Sequence, residues 1–223
     1  MISLGRTCRP AHQIRMSKRR RHAAGFGFFP GGSYYFDWLL SPLASVVACI
    51  ETDFATAFRA ADMHLDEEQR AVDGIGIVYF HNFTGENGRT TMETIRAEYE
   101  TQRQKMSYLA TKTLGALRSS RRVLYVTVEP DLEAISSLVR VIRARHSQHE
   151  FMVLSVAKCD RPRGLVHQDE WCALHEIADI PSKPPHDDWR GNDRDWAWIL
   201  DRARLKPVAA PAGLQRGGIA TRL

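Results

Sequence analysis

The stretch "RVLYVTVE", residues 122–129, narrows the choice of fold more than any other part of the chain. It is a near-continuous apolar run, without the alternation of a sheet that has one wet face. It therefore reads as a strand buried on both sides. Residues 131–146 follow with Leu132, Ile135, Leu138, Val139 and Ile142 on one side at helical spacing, and "FMVLSVA" (151–157) is a second buried run. Buried strands alternating with amphipathic helices imply an α/β fold of the Rossmann-like, doubly wound kind. Its sheet is mostly parallel, with helices covering both faces.

The remaining segments extend this pattern. Ile2–Leu4 reads as a short first strand, Gly5–Thr7 as a tight turn, and Cys8 as the mouth of a helix whose first turn carries Pro10. Proline suits that position because the first helical N–H groups lack intrahelical partners. Ser41 and Pro42 start a helix with Leu43, Val46, Val47 and Ile50 on one face, and Phe54, Ala57, Phe58 and Ala61 repeat the spacing. "GIGIVYFHNF" (74–83) reads as a buried strand ending at His81, and 82–90 as a loop. A long helix is expected over 91–118, a strand over 173–180, and a last helix near 193–205. Residues 1–206 are expected to form a single α/β domain, with 207–223 a flexible tail that has no apolar period.

No apolar run approaches the ~18–20 residues of a membrane span, and the opening "MISLG" has no signal-like apolar region, so a cytoplasmic location is expected. Four cysteines (Cys8, Cys49, Cys159, Cys172) at irregular spacing do not make a disulfide framework. The net charge of +5 rests mainly on arginine, whose planar fork suits phosphate and carboxylate groups. The basic run Lys18–His22 stands near Phe26, Phe28, Phe29, Tyr34 and Tyr35, a mixture seen where bases stack and phosphates are held. The cluster is single and short and its aromatics lead into an apolar helix, so a nucleic-acid partner is not expected. The expected partner is a small-molecule or peptide substrate, with no membrane, cofactor or metal; oligomeric state stays open.

Open parallel sheets bind ligands beyond the carboxyl ends of their strands. Three chemically able groups fall at such ends: Cys8 after the first, His81 at the second and Glu129 at the third. A thiol, an imidazole and an acid on one rim are the parts of nucleophilic acyl transfer. Asn82 and Asp37 compete with Glu129 to orient the imidazole. Exposed N–H dipoles at a helix start are expected to lower the Cys8 pKa. Gly5 permits the turn, and N–H groups around Thr7–Arg9 are candidates for an oxyanion hole. Each group also has a plainer role: Cys8 as a small buried hydrophobe, Asp37 as a cap, Glu129 as a surface acid. Cys159, His167, Cys172 and His175 resemble zinc ligands in type, but their spacing fits no compact knuckle, and Cys172 and His175 would face opposite sides of a strand. His146 and His149 read as solvated helix-end residues, and the tryptophan-rich stretch 187–200 offers an aromatic wall to a pocket.

"ISLGRTCRPAHQIR", "YYFDWLLS", "GIVYFHNF", "RRVLYVTVE" and "EFMVLSVAK" follow one another in an order that resembles a bacterial family described as papain-like cysteine peptidases. The resemblance spans roughly residues 1–160. Its carriers are Ser3-Leu4-Gly5 with Cys8, Phe36-Asp37-Trp38, and His81, and it implies a cysteine hydrolase built on Cys8 and His81. Asn82 stands where that family has aspartate, and a basic, glycine-rich insert (17–33) separates the first two motifs. The strand–helix order is less like a papain fold than like SGNH-type hydrolases, or a capsule-polysaccharide enzyme that binds coenzyme A. Cysteine-dependent acyl hydrolysis is thus the leading expectation. Its rivals are an acyltransferase of surface-polysaccharide assembly with a phosphate-bearing donor such as coenzyme A, and a non-catalytic polyanion-binding module.

Overall fold

In the computed structural model, residues 1–25, 32–83, 90–159, 164–178 and 188–203 are described. In chain order the elements are β1 (Ile2–Ser3), α1 (Arg9–Ala23), α2 (Leu43–Glu51), β2 (His64–Leu65), β3 (Ala71–Val72), α3 (Met92–Leu117), β4 (Val123–Thr127), α4 (Leu132–Arg145), β5 (Phe151–Lys158), β6 (Gly164–Gln168), β7 (Cys172–Ile177) and α5 (Asp193–Arg202). The main sheet has the order β1-β4-β5-β7-β6; the first four strands are parallel and β6 closes the edge antiparallel to β7. β2 and β3 form a separate small hairpin. The fold is the expected α/β one.

The pleat sorts the central strands between two cores. Val123, Tyr125, Phe151 and Val153 pack into one cluster with Ile135 and Leu138 of α4 and Val46 and Ile50 of α2. Val126, Leu154 and Val156 face the other, with Ile14 of α1 and Trp196, Ile199 and Leu200 of α5. Helices thus cover both faces. Trp196 is fully buried, while Trp198 is partly buried against the same core and lies edge-on to His175. Among the described residues no helix is long and apolar enough to cross a membrane. The expected tail from residue 207, the glycine-rich 26–31 and residues 84–89 of the expected loop 82–90 lie outside the described residues.

Four expectations change. The segment 74–83 is not a strand of the main sheet: only Val78 forms isolated bridges, to Leu40 and Val72. The helix expected from Phe54 is a chain of turns with Asp53, Phe54 and Phe58 at positive φ, both phenylalanines still reaching the core. Ser41 does not cap α2; Pro42 holds that position, and the Ser41 hydroxyl is buried without a partner. His149 is buried rather than solvated, held by the Tyr125 hydroxyl at 2.9 Å and stacked on Phe151.

Buried Asp73 replaces the missing ladder. Its Oδ1 accepts the N–H groups of Ile75 (3.2 Å) and Ile77 (2.9 Å), and its Oδ2 accepts the Phe58 N–H (3.0 Å) and the Tyr79 hydroxyl (2.7 Å). Tyr79 gives its proton to Asp73, so in the 3.0 Å contact between the two phenols Tyr35 is the donor. One carboxylate therefore satisfies the donors of two irregular segments. Asp73→Ala leaves four donors without an acceptor, and each such buried group costs about 1–3 kcal/mol. The expected loss of unfolding free energy in urea titration is at least about 3 kcal/mol; a loss below about 1 kcal/mol would show that the segment holds itself.

Candidate active site

Cys8 is delivered by a sharp exit from the sheet. The Leu4 N–H still bonds Val126 across β1 and β4 (2.9 Å), and then Gly5 and Arg6 both take positive φ (77° and 64°). At Gly5 an added Cβ would lie 2.8 Å from the Ser41 side chain, so glycine is required by space as well as by φ. The Arg6 N–H bonds the Ser41 carbonyl (3.0 Å), and its guanidinium pairs with Glu129. The chain then enters α1 with Cys8 as N-cap, its carbonyl accepting the His12 N–H (3.1 Å). The thiol makes no capping bond and is left half-buried.

His81 comes from the opposite direction. It sits in a turn closed by the Asn82 N–H on the Tyr79 carbonyl (3.2 Å). The Tyr79 hydroxyl is tied to Asp73, and Phe83 stacks on Phe58. The Asn82 amide anchors the turn to α3, donating to Gln102 (3.2 Å) and Met106 (3.4 Å). The result brings His81 Nε2 to 3.8 Å from Cys8 Sγ, although the two residues stand 73 apart in the chain. Phe80 is 53% exposed and packs edge-on against the imidazole, its ring centre 4.8 Å away.

The pair opens onto a cavity of about 860 Å³. Its apolar lining includes Trp38, Leu39, Met106, Leu109 and Trp189, and its charged lining is Arg9, Arg15, Lys105 and Asp37. No family model, curated protein or solved structure matches the chain.

Of the residues singled out from sequence, Cys8, His81, Asn82, Asp37, Thr7 and Arg9 all line the cavity. Among the described residues, none of the three candidates for orienting the imidazole hydrogen-bonds to it. Asn82 is spent on α3. The Asp37 carboxylate accepts the Tyr34 N–H at 3.0 Å and faces Lys18 and Lys112; burial raises its pKa to about 6. Glu129 holds Arg6 and accepts the Asp131 N–H (3.1 Å), which makes it a brace for the turn before Cys8. Around the proposed oxyanion site, the Arg9 N–H is taken up by the Thr7 hydroxyl (3.3 Å), whereas those of Thr7 and Cys8 have no protein acceptor among the described residues.

Sequence reasoning missed Arg15 and Lys105. Arg15 was findable, since it lies seven residues after Cys8 and so returns to the same face of α1. Lys105, on an exposed stretch of α3, carried no signal.

The charge states differ from expectation. Partial burial pushes the Cys8 thiol above the ordinary cysteine value, so the helix-start effect does not give a resting thiolate. Burial, and then the charge of Lys105, push His81 below the ordinary histidine value of 6.5. At neutral pH both groups are uncharged. Removing a nearby cation makes the imidazolium less unfavourable, so Lys105→Gln raises the His81 pKa toward 6.5. Histidine titration by NMR in the two proteins measures this; an unmoved or falling value would exclude Lys105 as a cause.

Proposed function

We propose that the protein is a cysteine-dependent acyl hydrolase in which Cys8 is the nucleophile and His81 the general base and acid. The observation that carries this is the 3.8 Å approach of Cys8 Sγ to His81 Nε2 at the mouth of a cavity large enough for a small substrate. The likeness of the Ser-Leu-Gly opening, the Phe-Asp-Trp segment and His81 to the papain-like peptidase family points the same way.

The proton ledger follows from the neutral pair. His81 Nε2 takes the thiol proton as sulfur bonds to the acyl carbon, which avoids a free thiolate in a partly apolar setting. The Thr7 and Cys8 N–H groups are the donors left for the tetrahedral oxyanion. Nε2 then protonates the departing oxygen, nitrogen or sulfur, leaving a thioester on Cys8. In the second half Nε2 takes a proton from water as it attacks, and returns it to the Cys8 sulfur.

A second reading, acyl transfer from a phosphate-bearing donor such as coenzyme A, has one observation in its favour. Arg15 and Lys105 line the cavity and have no carboxylate partner among the described residues. Two such cations in the same cavity as a thiol suit an acyl group carried on, or ending in, an anion.

Hydrolysis of p-nitrophenyl butyrate tests both readings. Turnover is expected in the native protein, with a butyryl adduct on the Cys8 peptide by mass spectrometry. Cys8→Ala should abolish both, and His81→Ala should lower kcat/KM by about 10²–10⁴. Turnover that survives Cys8→Ala defeats the proposal. Butyryl-coenzyme A forming when coenzyme A is added would move the assignment to transfer.

A further inference from the structure

The β6–β7 hairpin carries a cluster on the far strands of the sheet, away from Cys8. The four zinc-like residues noted in the sequence do not meet as a set. β7 sends Cys172 and His175 to opposite faces, and His175 packs against Trp198. The structure instead joins His167 and Cys172 to Asp169, which lies in the turn between the strands. The donor atoms of these three all lie within 4.8 Å of one another.

We infer that His167, Asp169 and Cys172 form a binding site for a divalent metal ion of the zinc class. Two of the three separations carry the argument, and the third, from the imidazole to Cys172 Sγ, lies within 4.8 Å. A tetrahedral centre with metal–nitrogen and metal–oxygen bonds of about 2.0–2.1 Å and a metal–sulfur bond of about 2.3 Å sets N···O near 3.3 Å and S···O near 3.5 Å. His167 Nε2 lies 3.3 Å from Asp169 Oδ2, and Cys172 Sγ lies 3.5 Å from the same oxygen. The carboxylate is divided between two tasks. Oδ1 accepts the N–H groups of Trp171 and Cys172, both at 2.7 Å, which fixes the hairpin, and Oδ2 is aimed at the imidazole and thiol.

The ligand chemistry selects the ion. One imidazole, one thiolate and one carboxylate suit zinc and its neighbours, and supply too little oxygen for magnesium or calcium. On binding, the thiol proton is released and the imidazole offers Nε2 as its neutral lone pair. The two anionic ligands then balance the divalent charge. His167 and Asp169 are partly exposed, which leaves a fourth position for water or a substrate atom. Arg140 and Arg143 border the neighbouring cavity of about 260 Å³ with Asp169 and Cys172. Their charge weakens cation binding, although Arg143 is turned onto the Trp171 ring at 4.5 Å. The expected affinity is therefore weaker than that of a buried four-ligand structural zinc.

Cobalt(II) titration of the full chain tests the site, because a thiolate bound to cobalt gives a near-ultraviolet charge-transfer band. The expected result is one cobalt per chain, with the band bleached by zinc and retained in Cys8→Ser and Cys159→Ser. It should vanish in Cys172→Ser and bind at least about tenfold more weakly in His167→Gln. Circular dichroism checks both variants. If Cys172→Ser does not fold, the partly exposed His167→Gln alone decides. No band at excess cobalt, a band that disappears with Cys8, or His167→Gln binding as well as the native protein would each overturn the inference. The outcome is independent of acyl turnover at Cys8.

Discussion

The site depends on a single buried carboxylate that takes the place of a strand. Residues 74–83 run through the interior as irregular chain, and interior backbone must find hydrogen-bond partners. Asp73 provides them by collecting three N–H groups and one phenol. A ladder would have fixed every second side chain in this segment to one face. The carboxylate imposes no such period, so the chain turns at Tyr79–Asn82 and projects Phe80 and His81 outward while Tyr79 and Phe83 stay buried. An imidazole at the mouth of the cavity is a product of that irregularity.

Cys8 is held by a separate set of constraints. β1 has only two residues and lies at the sheet edge, so its pairing alone anchors it weakly. Two contacts beyond the strand compensate: the Arg6–Ser41 backbone bond and the Arg6–Glu129 ion pair, which join the turn before Cys8 to the α2 approach and to the loop after β4. Glu129 is itself half of a buried arrangement, since its carbonyl receives the Ser155 hydroxyl from β5. The thiol and imidazole therefore meet because two separately braced loops converge at the rim of the sheet. This is the region where parallel sheets leave room for ligands.

How much was legible follows from what each segment does with its backbone. β4, α4 and β5 were readable because each pairs its backbone within regular structure and buries a continuous or 3.6-periodic set of side chains. Residues 74–83 were not, because an apolar run looks the same whether its N–H groups meet a neighbouring strand or an aspartate. Phe54 and Phe58 matched helical spacing but are placed by turns at positive φ, which hydrophobic spacing does not report. β6 escaped notice because both its faces are largely solvated, leaving no alternation to detect. Among site residues, Cys8 was visible as chemistry at an element end, and His81 was singled out as the end of a strand that the structure replaces with a turn. The roles of Asn82 and Glu129 were not, since those depend on contacts to α3 and to Arg6 from distant parts of the chain.

Lys105 links the resting charge state to the proposed chemistry. A general base must be unprotonated at working pH, and burial, with a smaller contribution from the charge of Lys105, favours that form of His81. The same charge opposes the imidazolium that forms when His81 takes the thiol proton, so alone it would slow the step it prepares. An anion on the substrate resolves the conflict: bound beside Lys105 and Arg15, it screens the cation from the new imidazolium. Under the proposed function, substrate charge and base strength are then coupled. Without an anion nearby the thiol and the imidazole are both neutral and weakly reactive, and an anionic substrate would supply the field in which proton transfer becomes favourable. The cations of the lining would in that case tune reactivity as well as bind, in a cavity whose other walls are mainly apolar.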